Sequence, residues 1–135
     1  MLPKPVRSNL FGLPGFAGLS ARDKRAISRA AHAMAFVEHT TMVVQGTVDR
    51  RVLVVLDGVV ELVVDDISVG HGGRGTLLGD IDPQSNRVPA TAIAVTQVRT
   101  VQVPSLVMRS LAERSSTVSY WLQRDTEVKR DHHIS

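Results

Sequence analysis

The sequence contains no cysteine. That excludes disulfides, thiolate zinc sites and thiol catalysis, and it fits a reducing compartment. Aromatic residues are scarce, with three Phe, one Tyr and one Trp among 135 residues. Any core must therefore be built from Val, Leu, Ile and Ala. No apolar run reaches the roughly 18 residues of a spanning helix, so a membrane is not expected as a partner. Residues 1–9 carry Lys4 and Arg7 with no apolar stretch behind them, unlike a secretory signal, and a cytoplasmic location is the expectation. There is no G-x-S-x-G turn and no carboxylate pair with assignable acid and base roles, so no enzyme is expected. His71, His39 and the adjacent His132 and His133 do not make the close in-strand pair that a barrel metal site needs. Neither a metal nor a cofactor is expected.

What is present has the size of one domain. The net charge of +3 is unevenly spread. Residues 1–37 hold six Lys/Arg against one acid, residues 38–103 hold five against eight, and residues 104–135 hold five against four. The basic face belongs to the first helical region. Its first reading is a solvated helix surface, and contact with nucleic acid or an acidic partner is the other.

Residues 1–19 are rich in Pro and Gly and read as irregular, with Leu10, Phe11, Leu13 and Phe16 free to pack inward. Ser20 is a good N-cap with Asp23 three residues on, and Ile27, Ala30, Ala31 and Met34 continue at helical spacing. From about Ala35 the pattern turns to short β-branched runs. Residues 41–45, 51–56, 59–64 and 67–69 read as strands, with Asp57-Gly58 as a hairpin turn. Residues 70–75 form a glycine-dense turn around Arg74, read as a solvated side chain. Residues 91–95 and 98–103 read as a last strand pair around Thr96-Gln97. Pro104 ends the strands, Ser105 opens a helix, and a further helix covers about residues 117–129. A helix, a run of strands and then two helices predict an antiparallel barrel with flanking helices.

Four segments carry a family resemblance: Phe16, Leu19, Ser20, Asp23 and Ile27 in F-x-x-L-S-x-x-D-x-x-x-I; Gly46 and Gly58 with strand between them; G-R-G-T-L-L-G-D at residues 73–80; and R-V-P-A-T-A-I-A-V at residues 87–95. In this order they resemble the cyclic-nucleotide-binding domain family, over about residues 16–122. The resemblance implies a mainly β fold, an antiparallel jelly-roll barrel (double-stranded β-helix) with flanking helices. It implies one domain over 1–135: an N-terminal segment and helix at 1–36, the barrel at 37–103, C-terminal helices at 104–135.

It also implies a site for cAMP or cGMP. Gly79 would let the backbone approach the phosphate. Asp80, where the family has Glu, would accept the ribose hydroxyl. Arg87 would neutralise the phosphate, with Ala90 and Thr91 beside it, and Trp121 or Tyr120 would supply a lid. Asp82-Pro83 would start a short helix whose N–H groups face the phosphate. The family's Arg precedes its Thr by three positions, which here is Val88. Arg87 therefore faces the pocket if Pro89 bends the chain, and water if it does not. Two functions stay open. One is a regulatory nucleotide sensor whose C-terminal helix moves on binding. The other is a module without nucleotide that works through a protein partner or a homodimer, using the basic N-terminal helix or Tyr120, Trp121 and Leu122. No helix-turn-helix fits after the last helix, so direct nucleic-acid binding is not expected.

Overall fold

The computed structural model of the chain describes residues 1–130; His132 and His133 lie outside the described residues. Helix α1, Lys4–Phe11, and a 3-10 turn, Pro14–Phe16, occupy the segment expected to be irregular. Pro3 and Pro5 bracket the start of α1. First-turn positions have no intrahelical N–H bond to lose, so proline begins this helix instead of breaking it. Leu2, Leu10, Leu13 and Phe16 are thereby buried. Helix α2, Ala21–Ala30, opens at the expected cap, with Ser20 Oγ accepting the Asp23 N–H at 3.1 Å. It stops short of the helix expected to residue 36. His32–Phe36 is strand β1, paired position by position with residues 98–102. Five ladder positions outweigh the modest helix preference of Ala and Met.

Strands β2 (Thr41–Val43), β3 (Arg51–Asp57), β4 (Val60–Val64), β5 (Ile67–Gly72), β6 (Leu77–Gly79), β7 (Thr91–Ala94) and β8 (Val98–Pro104) follow, then helices α3 (Ser105–Arg114) and α4 (Ser116–Arg130). The strands form two four-stranded antiparallel sheets, β1-β8-β3-β6 and β2-β7-β4-β5. This is the expected jelly roll with flanking helices.

Two expected strand pairs are corrected. Asp57-Gly58 and Thr96-Gln97 do not join paired strands. Each carries the chain from one sheet to the other, since β3 and β8 lie in the first sheet and β4 and β7 in the second. Turn residues specify a reversal but not the partner. The two corners stack: Val59 N–H donates to Thr96 Oγ1 at 3.0 Å. Gly58 has φ 100° and lies so close to the Gln97 carbonyl that a Cβ would overlap it. The glycine-dense stretch is half strand, because β5 runs to Gly72. Arg74, though exposed, is not merely solvated. It donates to the Asn9 and Leu56 carbonyl oxygens at 3.0 and 3.3 Å and to the Asn9 side chain, tying this turn to α1.

Burial on both faces explains the unbroken apolar run of β3. Val52, Val54 and Leu56 face the helices and pack with Leu10, Phe16, Ile27, Met108 and Trp121. Leu53 and Val55 face the second sheet and pack with Leu62, Leu78, Val88, Ala92 and Val98. Each buried Val or Leu contributes about 1.5–3 kcal/mol. Among the described residues no helix is long and apolar enough to cross a membrane.

Trp121 is the keystone of the helical core. It meets Phe16 edge to face at 5.1 Å, and its indole N–H donates to the Gly75 carbonyl at 2.9 Å. A Cβ at Gly15 would overlap its ring. Gly15→Ala is therefore expected to shift the indole and to cost about 1–3 kcal/mol, the usual overpacking penalty. Chemical denaturation followed by the fluorescence of this sole Trp measures both; an unchanged midpoint and spectrum would show the contact to be slack.

Candidate functional site

The segment between β6 and β7 is where the expected site residues concentrate. Gly79 ends β6 with φ 90°, and a Cβ there would come within 2.6 Å of the Arg51 carbonyl. Close backbone packing alone accounts for this glycine. Asp80 N–H donates to the same Arg51 carbonyl at 3.0 Å. The Asp80 carboxylate is buried and bonds Arg109 of α3, whose Nη2 lies 3.0 and 3.2 Å from its two oxygens.

No helix follows. Asp82 Oδ1 accepts the Gln84 N–H at 2.9 Å, its carbonyl accepts Ser85 N–H at 3.3 Å, and Ser85 Oγ accepts Arg87 N–H at 3.1 Å. These are side-chain-supported turns, which compete with helix. Arg87 is already committed to a bridge opposite Val48, so too few residues remain for a capped turn of helix. The short helix expected at Asp82-Pro83 is thus replaced by a turn.

Around residue 87 the pleat decides which side chain enters the barrel. Val88 N–H donates to the Thr47 carbonyl at 2.9 Å and its own carbonyl accepts Gly46 N–H at 2.8 Å. Held this way, Val88 points inward at 1% exposure and joins the core between the sheets. Arg87 points outward, is exposed, and donates to the Gly46 carbonyl at 3.2 Å. Pro89 does not reverse this. Ala90, Ala92 and Ala94 continue the inward face. Thr91 lies on the other face, where its hydroxyl oxygen accepts Gln45 N–H at 2.9 Å.

The six expected residues therefore fall in three places. Gly79 and Asp80 sit at the end of β6, with Asp80 lining a cleft of about 320 Å³ beside Met108, Arg109 and Leu122. Arg87, Ala90 and Thr91 belong to the second sheet and its approach. Trp121 lies in the core on the far, helical face of the first sheet. Of the three last-helix residues, Trp121 and Leu122 are buried, and Tyr120 alone is exposed, at 64%, with the Arg124 guanidinium 6.0 Å from its ring centre.

Sequence reasoning missed two polar clusters. At one end of the barrel, Arg51 grips both Asp49 oxygens at 3.1 Å and donates to Gln102 Oε1 at 3.0 Å. Burial raises the Asp49 carboxyl, but the hydrogen bonds and charge of Arg51 outweigh it and hold it below the ordinary carboxylate range. The D-x-R spacing at a strand start was the available signal, because i and i+2 share a face. The second cluster fastens α4 to the free edge of β6. Asp125 Oδ2 accepts Leu77 N–H at 2.8 Å, and Lys129 Nζ donates to the Leu77 and Asp125 carbonyls, each at 3.1 Å. The Thr126 hydroxyl lies 3.1 Å from the Ile81 carbonyl.

Comparisons with known proteins bear on the fold. No family model matches the sequence, and no curated protein matches it. Solved structures do. A protein from Geobacter metallireducens described as cyclic-nucleotide-binding superposes with TM-score 0.72 at 17% identity, over 95% of this chain and 96% of that one. This chain has the fold of the cyclic-nucleotide-binding domains. The regulatory domain of Toxoplasma gondii protein kinase A, solved with cAMP, gives TM-score 0.74 at 17% identity, over 90% of this chain and 48% of that one. The regulatory subunit of a cAMP-independent protein kinase A from Trypanosoma brucei gives 0.69 at 19%, over 90% and 49%. The chain spans about half the length of these two kinase subunits.

Two outcomes follow from the site geometry. Val88→Arg places a guanidinium among Leu53, Val55 and Leu78, and a buried unpaired charge costs several kcal/mol. A urea midpoint that falls sharply is expected; an unchanged one would mean the space between the sheets admits a cation. The second concerns Lys129. Burial pushes its ammonium down to about 8, against the pull of Asp125. Between about 8 and the ordinary 10.5, the unfolded chain then binds the proton and the folded chain does not, so stability rises with pH across that window and is lost again below it. Urea midpoints at several pH values should show wild type gaining on Lys129→Met across this window; parallel curves would contradict the buried ammonium.

Proposed function

We propose that this chain is a non-catalytic regulatory domain of the cyclic-nucleotide-binding fold that works by protein contact without a nucleotide inside its barrel. The observation that carries this reading is the exchange at residues 87 and 88. The side chain that enters the barrel is Val88, and the guanidinium that would neutralise a phosphate lies outside. Asp80 is already satisfied by Arg109, and the turn at residues 82–85 offers no helix N-terminus to an anion. An unneutralised phosphate in an apolar interior is costly. Contact with a partner or a second copy would use exposed helical surface, where Tyr120 stands beside Arg124.

A sensor of cAMP or cGMP at Gly79, Asp80, Arg87, Ala90 and Thr91 is the second reading, favoured by the likeness to the Toxoplasma gondii domain solved with cAMP. It requires residues 80–90 to rebuild, with Val88 turning out, Arg87 turning in and Asp80 leaving Arg109. Titration calorimetry and thermal unfolding with cAMP and cGMP separate the two. The nucleotide-free reading expects neither heat nor a shift in Tm at ligand near 1 mM. A sensor with micromolar Kd would gain about 4 kcal/mol at a thousandfold excess over Kd, and that gain, lost in Arg87→Ala, would replace the first reading by the second.

A further inference from the structure

We propose that the cleft between α1 and α2 binds a compact polyphosphate: a small molecule that presents two or more phosphates close together. The cleft has a volume of about 530 Å³, within the usual range for small-molecule sites. Lys4 and Arg7 line it from α1, and Lys24, Arg25 and Arg29 line it from α2. Among the described residues no carboxylate lines it. Asp23, the one acid in the first 37 residues, is turned away and bonded to Arg114 of α3 at 2.8 Å. Among the described residues none of the five cations takes part in an ion pair. Lys24 Nζ lies over the Phe11 ring, 5.8 Å from its centre. The hydroxyl-bearing Ser28, a buried residue, also lines it.

This crowding is unfavourable to the empty protein. Arg25 and Arg29 stand at i, i+4 on one helix face, and Lys4 and Arg7 at i, i+3 on the facing one, both like-charge spacings that destabilise helices. Arg29 in the last turn of α2 complements the helix dipole, but that does not account for Lys24 or Arg25. A bound polyanion relieves all of these repulsions at once.

Dimensions and surroundings select the class of ligand. At 1.5 Å per residue the two helices run about 12 and 15 Å, room for a few phosphates and not for a polymer. A nucleic acid leaving the cleft would meet the barrel, where acids outnumber Lys/Arg by eight to five. It would also find no stacking platform, because the one ring present is capped by Lys24. The cations are gathered in a concavity, which a flat lipid surface cannot enter.

Calorimetry of the full chain with sodium tripolyphosphate, at about 0.15 M salt where the Debye length is about 8 Å, tests the proposal. One-to-one binding is expected, at least roughly tenfold tighter than orthophosphate, a factor worth one decade of Kd. Arg25→Ala combined with Arg29→Ala should lose most of it, as should Lys4→Gln with Arg7→Gln on the other wall, with unliganded Tm unchanged or raised because repulsion is removed. Arg99→Ala, an exposed charge on β8, should bind as wild type. Absence of binding, equal affinity for orthophosphate, or wild-type affinity in both double variants would overturn it. So would a single-stranded oligonucleotide or anionic vesicles that outcompete tripolyphosphate, which would give the patch to those partners instead.

Discussion

Strands β3 and β8 at the centre of the first sheet are buried on both faces, apart from Arg99 and the strand ends, and the rest of the molecule is arranged around that burial. One face of β3 and β8 meets the helices and the other meets the second sheet. The space between the sheets is lined by side chains from both. In this chain the filling side chains are Leu53, Val55, Leu62, Leu78 and Val88, set against the small residues Ala92 and Ala94. Closely packed interiors leave few voids larger than a water molecule. Two polar side chains of β8 that turn this way are paired: Thr100 Oγ1 donates to the Met34 carbonyl at 3.0 Å, and Gln102 accepts from Arg51. The guanidinium that reaches Gln102, that of Arg51, is committed to Asp49. Among the described residues, Arg87 lies outside the barrel and Arg51 is paired, whereas five cations line the cleft between α1 and α2.

Helix α4 acts on the same architecture from outside. β6 is an edge strand of the first sheet, and edges offer unpaired N–H and C=O groups to any passing strand. Asp125 and Lys129 take both groups of Leu77. The helix thus protects the edge and grips the backbone two residues before Gly79, while Thr126 reaches the Ile81 carbonyl just beyond Asp80. Movement of α4 requires these buried polar groups to find other partners, and each one left unsatisfied costs about 1–3 kcal/mol.

Much of this was legible in the sequence, for physical reasons that also mark its limits. The glycines at 58 and 79 stand out because the corners need positive φ and close backbone approach, so their order pointed to the jelly roll. Ser20 gave the α2 start because a cap is local. Asp57-Gly58 gave a reversal, but which sheet receives the next strand is decided by both sheets at once. The displacement of Arg87 from the family position was visible as a one-residue shift, and alternation along the strand then fixes its direction. What could not be read were contacts between residues far apart in sequence, such as Lys129 to Leu77 or Asp80 to Arg109. Prolines misled at Pro3 and Pro5, where a helix start tolerates them.

Charge connects these parts. Asp23 of α2 bonds Arg114 of α3, and Arg109, five residues earlier on α3, bonds Asp80 at the end of β6. Helix α2, which walls the basic cleft, and the end of β6 are therefore joined through one helix by two ion pairs. An anion in the cleft would compete with Asp23 for the surrounding positive potential, and any change in the Asp23–Arg114 bond acts on α3. If an anion in the cleft and a second ligand at Asp80 both acted on α3, each would change the other's affinity by the same factor. On this fold, a regulatory input need not enter the barrel at all. The closed interior supplies rigidity, and the charged seam between α2, α3 and β6 is where a signal has polar contacts to change.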